Sequence, residues 1–230
     1  QNEKSIDMVL FINGIPIVTI ELKNSLTGQK AIHAIRQYIN DRDPREPLFK
    51  FKRCLVHFAI GNEEVFMTTR LAGKGTRFLP FNKGITNPVN PEGHKVSYMW
   101  EELFQKSSLL DLIQNYVHIR KEKDPETNVE KEYLIFPRYH QLVAVNKLKQ
   151  TINKEGIGKR YLIQHTTGSG KSLTIGWLAY QLRTLFQTKE STERIFDTVV
   201  ILTDRKVLDR QLRNTVIQLE QTTGVVNPVT

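Results

Sequence analysis

The stretch HTTGSGKS at residues 165–172 constrains the fold more than anything else in this chain. Wrapping a run of phosphates with backbone N–H groups needs a glycine-rich turn, and Gly168 and Gly170 provide it. The same job needs a lysine for the β- and γ-phosphates and a hydroxyl for Mg2+, which Lys171 and Ser172 supply. Such a loop works between a strand and the helix it opens, and the flanks comply: the apolar YLI precedes it and LTIGWLAYQL follows. Thr166, Thr167 and Ser169 complete the loop, so ATP and Mg2+ are the expected cofactors. The surrounding pattern reads helix (138–153), strand (160–164), glycine loop, helix (171–187), strand (198–203), helix (206–218). Strands alternating with helices imply a parallel α/β sheet.

The first third reads differently. SIDMVLFI and IPIVTIEL are apolar, β-branched runs around Asn13-Gly14, a strong hairpin signal. GQKAIHAIRQYIND follows with helical spacing, placing Ile32, Ile35 and Tyr38 on one stripe. Residues 54–70 read as a second strand pair around Gly61-Asn62, residues 72–97 as loop, and YMWEELFQKSSLLDLIQNYV as an amphipathic helix. The run RKEKDPETNVEKE, residues 120–132, has Val129 as its single apolar residue and is the expected linker. The expected division is therefore residues 1–119, a linker at 120–132, and residues 133–230.

Asp7, Glu21 and Lys23 form the second candidate site. Glu21 and Lys23 are two apart on a strand, so both leave from one face. Whether Asp7 joins them is a question of turn parity. A strict two-residue turn pairs residue 7 with 20 and puts Glu21 on the opposite face; a three-residue loop, Ile12-Asn13-Gly14, pairs 7 with 19 and unites all three. Two converging carboxylates hold Mg2+, which prefers oxygen ligands, and a neighbouring lysine can orient or deprotonate an attacking water. Charges near strand ends are usually only solvated, but here they interrupt otherwise apolar strands, where an unpaired charge is costly.

With 39% hydrophobic and 25% charged residues, the 230-residue chain can bury a real core and is neither disordered nor fibrous. A single cysteine, Cys54, excludes a disulfide framework and a cysteine-based zinc site. With no signal peptide and no span of apolar residues to cross a membrane, the expected location is the cytoplasm. A net charge of +9 favours a polyanionic partner, of which nucleic acid is the commonest.

The phrase DMVLFINGIPIVTIELKN resembles the PD-(D/E)xK nuclease core of type I restriction-enzyme motor subunits. That resemblance implies Asp7 and Glu21 as metal ligands, the Leu22 carbonyl as a third, and Lys23 as the catalytic lysine. Many relatives carry Q-x-x-x-Y on the following helix; Tyr38 is in place, but Ala34 stands where the glutamine belongs. FPRYHQ at 136–141 resembles the helicase Q motif, implying that Gln141 reads adenine. VVILTDRKVLDRQL resembles motif Ia of superfamily 2 helicases, implying that Thr203 and Arg205 touch nucleic acid. The order of parts resembles the restriction subunit of type I restriction-modification enzymes. It implies an α/β chain with a PD-(D/E)xK nuclease-like domain followed by a partial RecA-like parallel lobe. It also implies ATP-driven translocation and Mg2+-dependent cleavage of double-stranded DNA, with methylation and specificity subunits as partners. No Walker B Asp-Glu pair follows in the 58 residues after Ser172, so the chain reads as an N-terminal fragment. Two rivals stay open: a non-cleaving helicase or remodelling module, and a small-molecule kinase, which leaves the basic charge unexplained.

Overall fold

The hairpin at the start of the chain decides where its acidic residues point. In the computed structural model, which describes residues 4–124, 126–186, 191–204, 206–219 and 226, strand β1 (Met8–Ile12) pairs antiparallel with β2 (Ile15–Leu22). Asn13 and Gly14 both have positive φ, 49° and 78°, as a two-residue turn matched to strand twist requires. Ile12 faces Ile15 and Phe11 faces Pro16, but Leu10 faces Val18. Ile17 is thus an extra residue, a bulge in β2 next to a proline that has no N–H for the ladder. Its carbonyl accepts from Leu55 N instead, at 2.8 Å.

A five-stranded mixed sheet is built on this hairpin, in the order β1-β2-β3-β4-β5, with β3 (Val56–Ile60), β4 (Val65–Thr68) and β5 (Leu79–Pro80). The β2–β3 pair is parallel and is connected through helix α1 (Ala31–Asn40); the other pairs are antiparallel. All five residues of β3 are buried, as expected of a strand covered on both faces. On one face Ala34, Ile35 and Tyr38 of α1 pack with Phe49, Ala59 and Leu71. On the other, Phe58 makes edge-on ring contacts with Phe81, Phe104 and Phe136 at 5.3, 5.6 and 6.0 Å. The buried stripe of α1 is Ala31, Ala34, Ile35 and Tyr38, while Ile32 is exposed. An alanine opens the stripe where helix and sheet nearly touch: a Cβ on Gly61 would lie 2.7 Å from Ala31 N.

Two further expectations change. The helix expected over residues 98–117 is broken into a π-helical turn, Met99–Leu103, and α2 (Lys106–Asn115), with Gln105 extended between them. The charged run 120–132, read as a linker, lies in a hairpin of β6 (His118–Lys123) and β7 (Glu130–Ile135). Its charges pair locally: Lys121 with Glu130 at 2.9 Å, Lys131 with Asp124, and Arg120 over the Tyr133 ring at 5.6 Å. Alternating signs across two strands hold a ladder that composition alone reads as solvated chain.

Contacts divide the chain into Gln1–Tyr139 and His140–Thr230. The second unit contains α3 (Tyr139–Glu155, entering from the first), α4 (Lys171–Arg183) and α5 (Lys206–Gln218). α4 and α5 pack closely; a Cβ on Gly176 would lie 2.5 Å from Leu219 Cδ1. The strands expected at 160–164 and 198–203 do not form ladders among the described residues. Leu162 and Leu202 are 91% and 89% exposed. Parallel strands are stable when partners and helices bury both sides, and among the described residues no strand pairs with these segments. The chain is therefore mixed α/β with a mixed parallel and antiparallel sheet, and among the described residues no strand ladder flanks the glycine loop.

Candidate functional sites

The bulge at Ile17 settles the parity question by a third route. Met8 faces Ile20, so the next position brings Asp7 opposite Glu21 on one face of the hairpin. Neither a strict ladder nor a three-residue loop gives this pairing. Asp7 Oδ2 accepts from Leu22 N at 2.8 Å. Glu21, facing Ala59 across the parallel ladder, is completely buried. Burial pushes its carboxyl up to about 7, against the lowering influence of Arg42 and with a smaller upward push from Asp7. Lys23 follows β2, half-buried, its N–H donated to the Ile60 carbonyl at 2.8 Å.

The residue that sequence reasoning missed is Arg42. Its Nε donates to Glu21 Oε1 at 2.8 Å, its Nη2 donates to the same oxygen, and Nη2 also donates to the Ser5 carbonyl. A signal was available: Arg42 lies four residues beyond Tyr38 and continues the buried stripe of α1 past its end. Glu21 Oε2 is buried with no hydrogen-bond partner among the described residues. A buried carboxylate oxygen left unbonded beside a second carboxylate fits a divalent cation, with Asp7 and Glu21 as its ligands. Among the described residues no cluster of three or more His, Cys, Asp or Glu side chains is arranged for a metal, so further ligands would be backbone oxygen and water.

Tyr38 is wholly buried rather than open to a substrate. Its hydroxyl and Thr19 Oγ1 are 2.8 Å apart, and Thr19 Oγ1 lies 2.7 Å from His57 Nδ1. Burial holds the Tyr38 hydroxyl well above its ordinary value and lowers His57 to about 4. Thr19 shares the face of Glu21, two residues on, so this chain lies directly beside the carboxylates. Ala34, four residues before Tyr38, is fully buried against the sheet.

In the second unit, Gly168 and Gly170 have φ of 78° and 85°, and Gly170 caps α4. The loop therefore ends at a helix N-terminus, whose N–H groups and dipole favour an anion. Lys171 Nζ rests on the loop's own carbonyls, 2.9 Å from Thr166 O and 3.3 Å from His165 O. Thr166, Thr167 and Lys171 are exposed, Ser172 is half-buried, and Ser169 is buried. Gln141 is also buried, and its amide donates to Gly170 O at 2.9 Å and Ser169 O at 3.3 Å, so it braces the loop. His140 stands beside it, Nε2 3.0 Å from Ser169 O and its ring edge-on to His165. Thr203 is exposed, with Oγ1 3.4 Å from Asp209 Oδ1; Arg205 lies outside the described residues. No described helix is long and apolar enough to cross a membrane.

Residues 1–76 match the family described as type I restriction enzyme R protein N terminus, and residues 140–228 match SWI2/SNF2 ATPase. The HindI endonuclease subunit of a type I restriction enzyme from Haemophilus influenzae is 28% identical over 219 residues, covering 91% of this chain and 19% of that protein. Two Methanocaldococcus jannaschii proteins named as type I restriction enzyme endonuclease subunits are also similar. MjaVIIIP is 28% identical over 93% of this chain and 20% of its own length; MjaVIIP is 31% identical over 89% and 18%. The chain thus spans about a fifth of the length of these relatives. No solved structure matches it significantly. By its first 76 residues and its relatives the chain is similar to type I restriction enzyme R proteins, with a region matching SWI2/SNF2 ATPase from residue 140.

Proposed function

We propose that this chain carries the nuclease and part of the motor of a restriction subunit that couples ATP-driven translocation to Mg2+-dependent cleavage of double-stranded DNA. Methylation and specificity subunits would be its partners, in the cytoplasm. The nuclease reading assigns residues 1–119 to a PD-(D/E)xK-like domain, and the motor reading assigns 133–230 to the start of a RecA-like lobe. The observation that carries the proposal is Asp7 brought beside Glu21 at the end of a bulged hairpin, its Oδ2 accepting from Leu22 N, with Glu21 Oε2 buried and without a hydrogen-bond partner among the described residues.

A cation held by Asp7 and Glu21 supplies positive charge at the scissile phosphate and lowers the pKa of bound water. Asp7 and Glu21 then contribute the fixed negative charge that places it. Lys23, on the same face, orients the attacking water or takes its proton. Tyr38 does not touch the phosphodiester; through Thr19 it stiffens the strand that carries Glu21. On the motor side, the loop 166–172 cradles the phosphates, Lys171 leaves its carbonyl partners for the β- and γ-phosphates, and Ser172 supplies the hydroxyl for Mg2+. Gln141 holds the loop's shape and is the candidate adenine reader, while Thr203 and Arg205 are the candidate nucleic-acid contacts.

The test is nicking of supercoiled DNA by the purified chain with Mg2+, comparing wild type with Asp7→Asn and Glu21→Gln. Slow, sequence-indifferent nicking that disappears in both variants is expected at about pH 8, with circular dichroism showing both variants folded under the assay conditions. Nicking that persists in both would remove the nuclease from this site.

A further inference from the structure

We propose that Arg42 is the positioning residue of the carboxylate site, fixing both segments that bear its ligands. The inference rests on the reading of Asp7 and Glu21 as cation ligands.

The Arg42 side chain is 4% exposed, yet every donor the structure assigns it is aimed at this site. Both Nε and Nη2 converge on one oxygen of Glu21, Oε1. A rigid planar guanidinium that places two donors on one carboxylate oxygen fixes the position of that oxygen. The other oxygen, Oε2, takes no donor from the guanidinium and has no hydrogen-bond partner among the described residues. If Arg42 served only to neutralise a buried charge, engaging both oxygens would do so better. The observed arrangement neutralises Glu21 while reserving one oxygen.

Arg42 also holds the backbone at Ser5. Nη2 also donates to the Ser5 carbonyl, two residues before Asp7. Lys4 reinforces the same junction, with Nζ 3.1 Å from the Asp41 carbonyl. The segment after α1 therefore grips the stretch leading into Asp7 and the carboxylate of Glu21 with one side chain. A lysine at position 42 would keep the charge but present a single point of donation, without the planar fork that spans Oε1 and Ser5. Partners that orient a metal's ligands typically govern affinity without touching the ion.

The experiment measures Mn2+ binding by electron paramagnetic resonance on the whole chain. A Ser172→Ala background removes the hydroxyl of the second cation site. Wild type should bind Mn2+, and Glu21→Gln should lose that binding. Arg42→Lys, with melting close to wild type, should bind roughly 10–100-fold more weakly. Wild-type affinity in Arg42→Lys, with binding lost in Glu21→Gln, would overturn the role of Arg42 and leave the carboxylate site standing. Binding that survives Glu21→Gln would overturn the carboxylate site itself, and this proposal with it. Should Arg42→Lys not fold, the wild-type Arg42 Nε–H signal in nitrogen-15 NMR decides. It should remain in slow exchange with solvent when Mg2+ is added; rapid exchange on Mg2+ addition would show that the cation displaces Arg42 from Glu21.

Discussion

Replacing Glu21 with glutamine should make the first unit acid-sensitive, and the cause is His57 rather than the glutamate. His57 is 2% exposed, and burial lowers its pKa from 6.5 to about 4. Its folded form therefore refuses a proton that the unfolded chain accepts at 6.5. That contribution to stability is complete above pH 6.5 and is lost as pH falls through about 4. The gap, at about 1.4 kcal/mol for each pH unit, comes to on the order of 3 kcal/mol. Glu21 acts in the opposite sense. Its carboxyl is raised from 4.5 to about 7, so its contribution is present below 4.5 and is lost as pH rises through about 7. Across the shared window the two linkages oppose each other, and the wild-type profile should be shallow.

Glu21→Gln removes one slope and exposes the other; His57→Gln does the converse and should leave a protein that loses stability toward neutral pH. Urea unfolding followed by tryptophan fluorescence measures both. The chain has two tryptophans, and Trp177→Phe leaves Trp100, in the first unit, as the reporter. Stability of the Glu21→Gln variant should fall by on the order of 3 kcal/mol between about pH 7 and about pH 4. A level profile in that variant would show that His57 does not exclude a proton and that its place beside Thr19 is misjudged.

Four other outcomes follow from named contacts. Lys171→Ala should abolish ATP binding, read by equilibrium dialysis, and leave Mn2+ binding at the carboxylates unchanged. Gly170→Ala should weaken ATP binding more than tenfold, because its Cβ would meet Gln141 Nε2 at 2.5 Å from a backbone with φ of 85°; unchanged affinity would show that the loop tolerates the shift. Gly61→Ala should destabilise the first unit by about 1–3 kcal/mol in urea unfolding, since the new methyl meets backbone at Ala31 that cannot move without shifting all of α1. Lys23→Ala in a full-length restriction subunit should keep ATP hydrolysis and lose DNA cleavage; loss of both would give Lys23 a structural role.

Some of this was legible in residues alone because the information is local. Asn13-Gly14 specifies a tight turn through backbone conformations that few other residues adopt, and HTTGSGKS announces a loop at a helix N-terminus. Other features depend on partners distant in sequence. The runs at 160–164 and 198–203 have strand composition, but a strand exists only when something pairs with it. The hairpin at 118–135 failed in the other direction: its charges predict solvation when counted and a ladder when placed opposite one another. In α1 hydrophobicity alone favours Ile32 for the buried stripe, whereas the close approach of Gly61 favours Ala31, and Ile32 lies exposed.

The candidate site shows most clearly what a pattern can and cannot specify. The motif spacing from Asp7 to Glu21 has the right sum, but a hairpin converts spacing into geometry through every residue between. One bulge inverts the face of everything beyond it. Pro16 is the residue that matters, because it cannot donate to a ladder and so invites the extra residue at Ile17. Without that bulge, Asp7 would face Ile20 and its carboxylate would point to the side of the sheet opposite Glu21. Arg42 completes the logic from outside the motif: burying Glu21 at the end of an apolar strand requires a compensating cation, and that cation must arrive from an element packed on the same face. The helix stripe through Tyr38 reaches it one turn later. A search for metal ligands alone would stop at the two carboxylates, while the physical requirement of a buried charge leads to the third member.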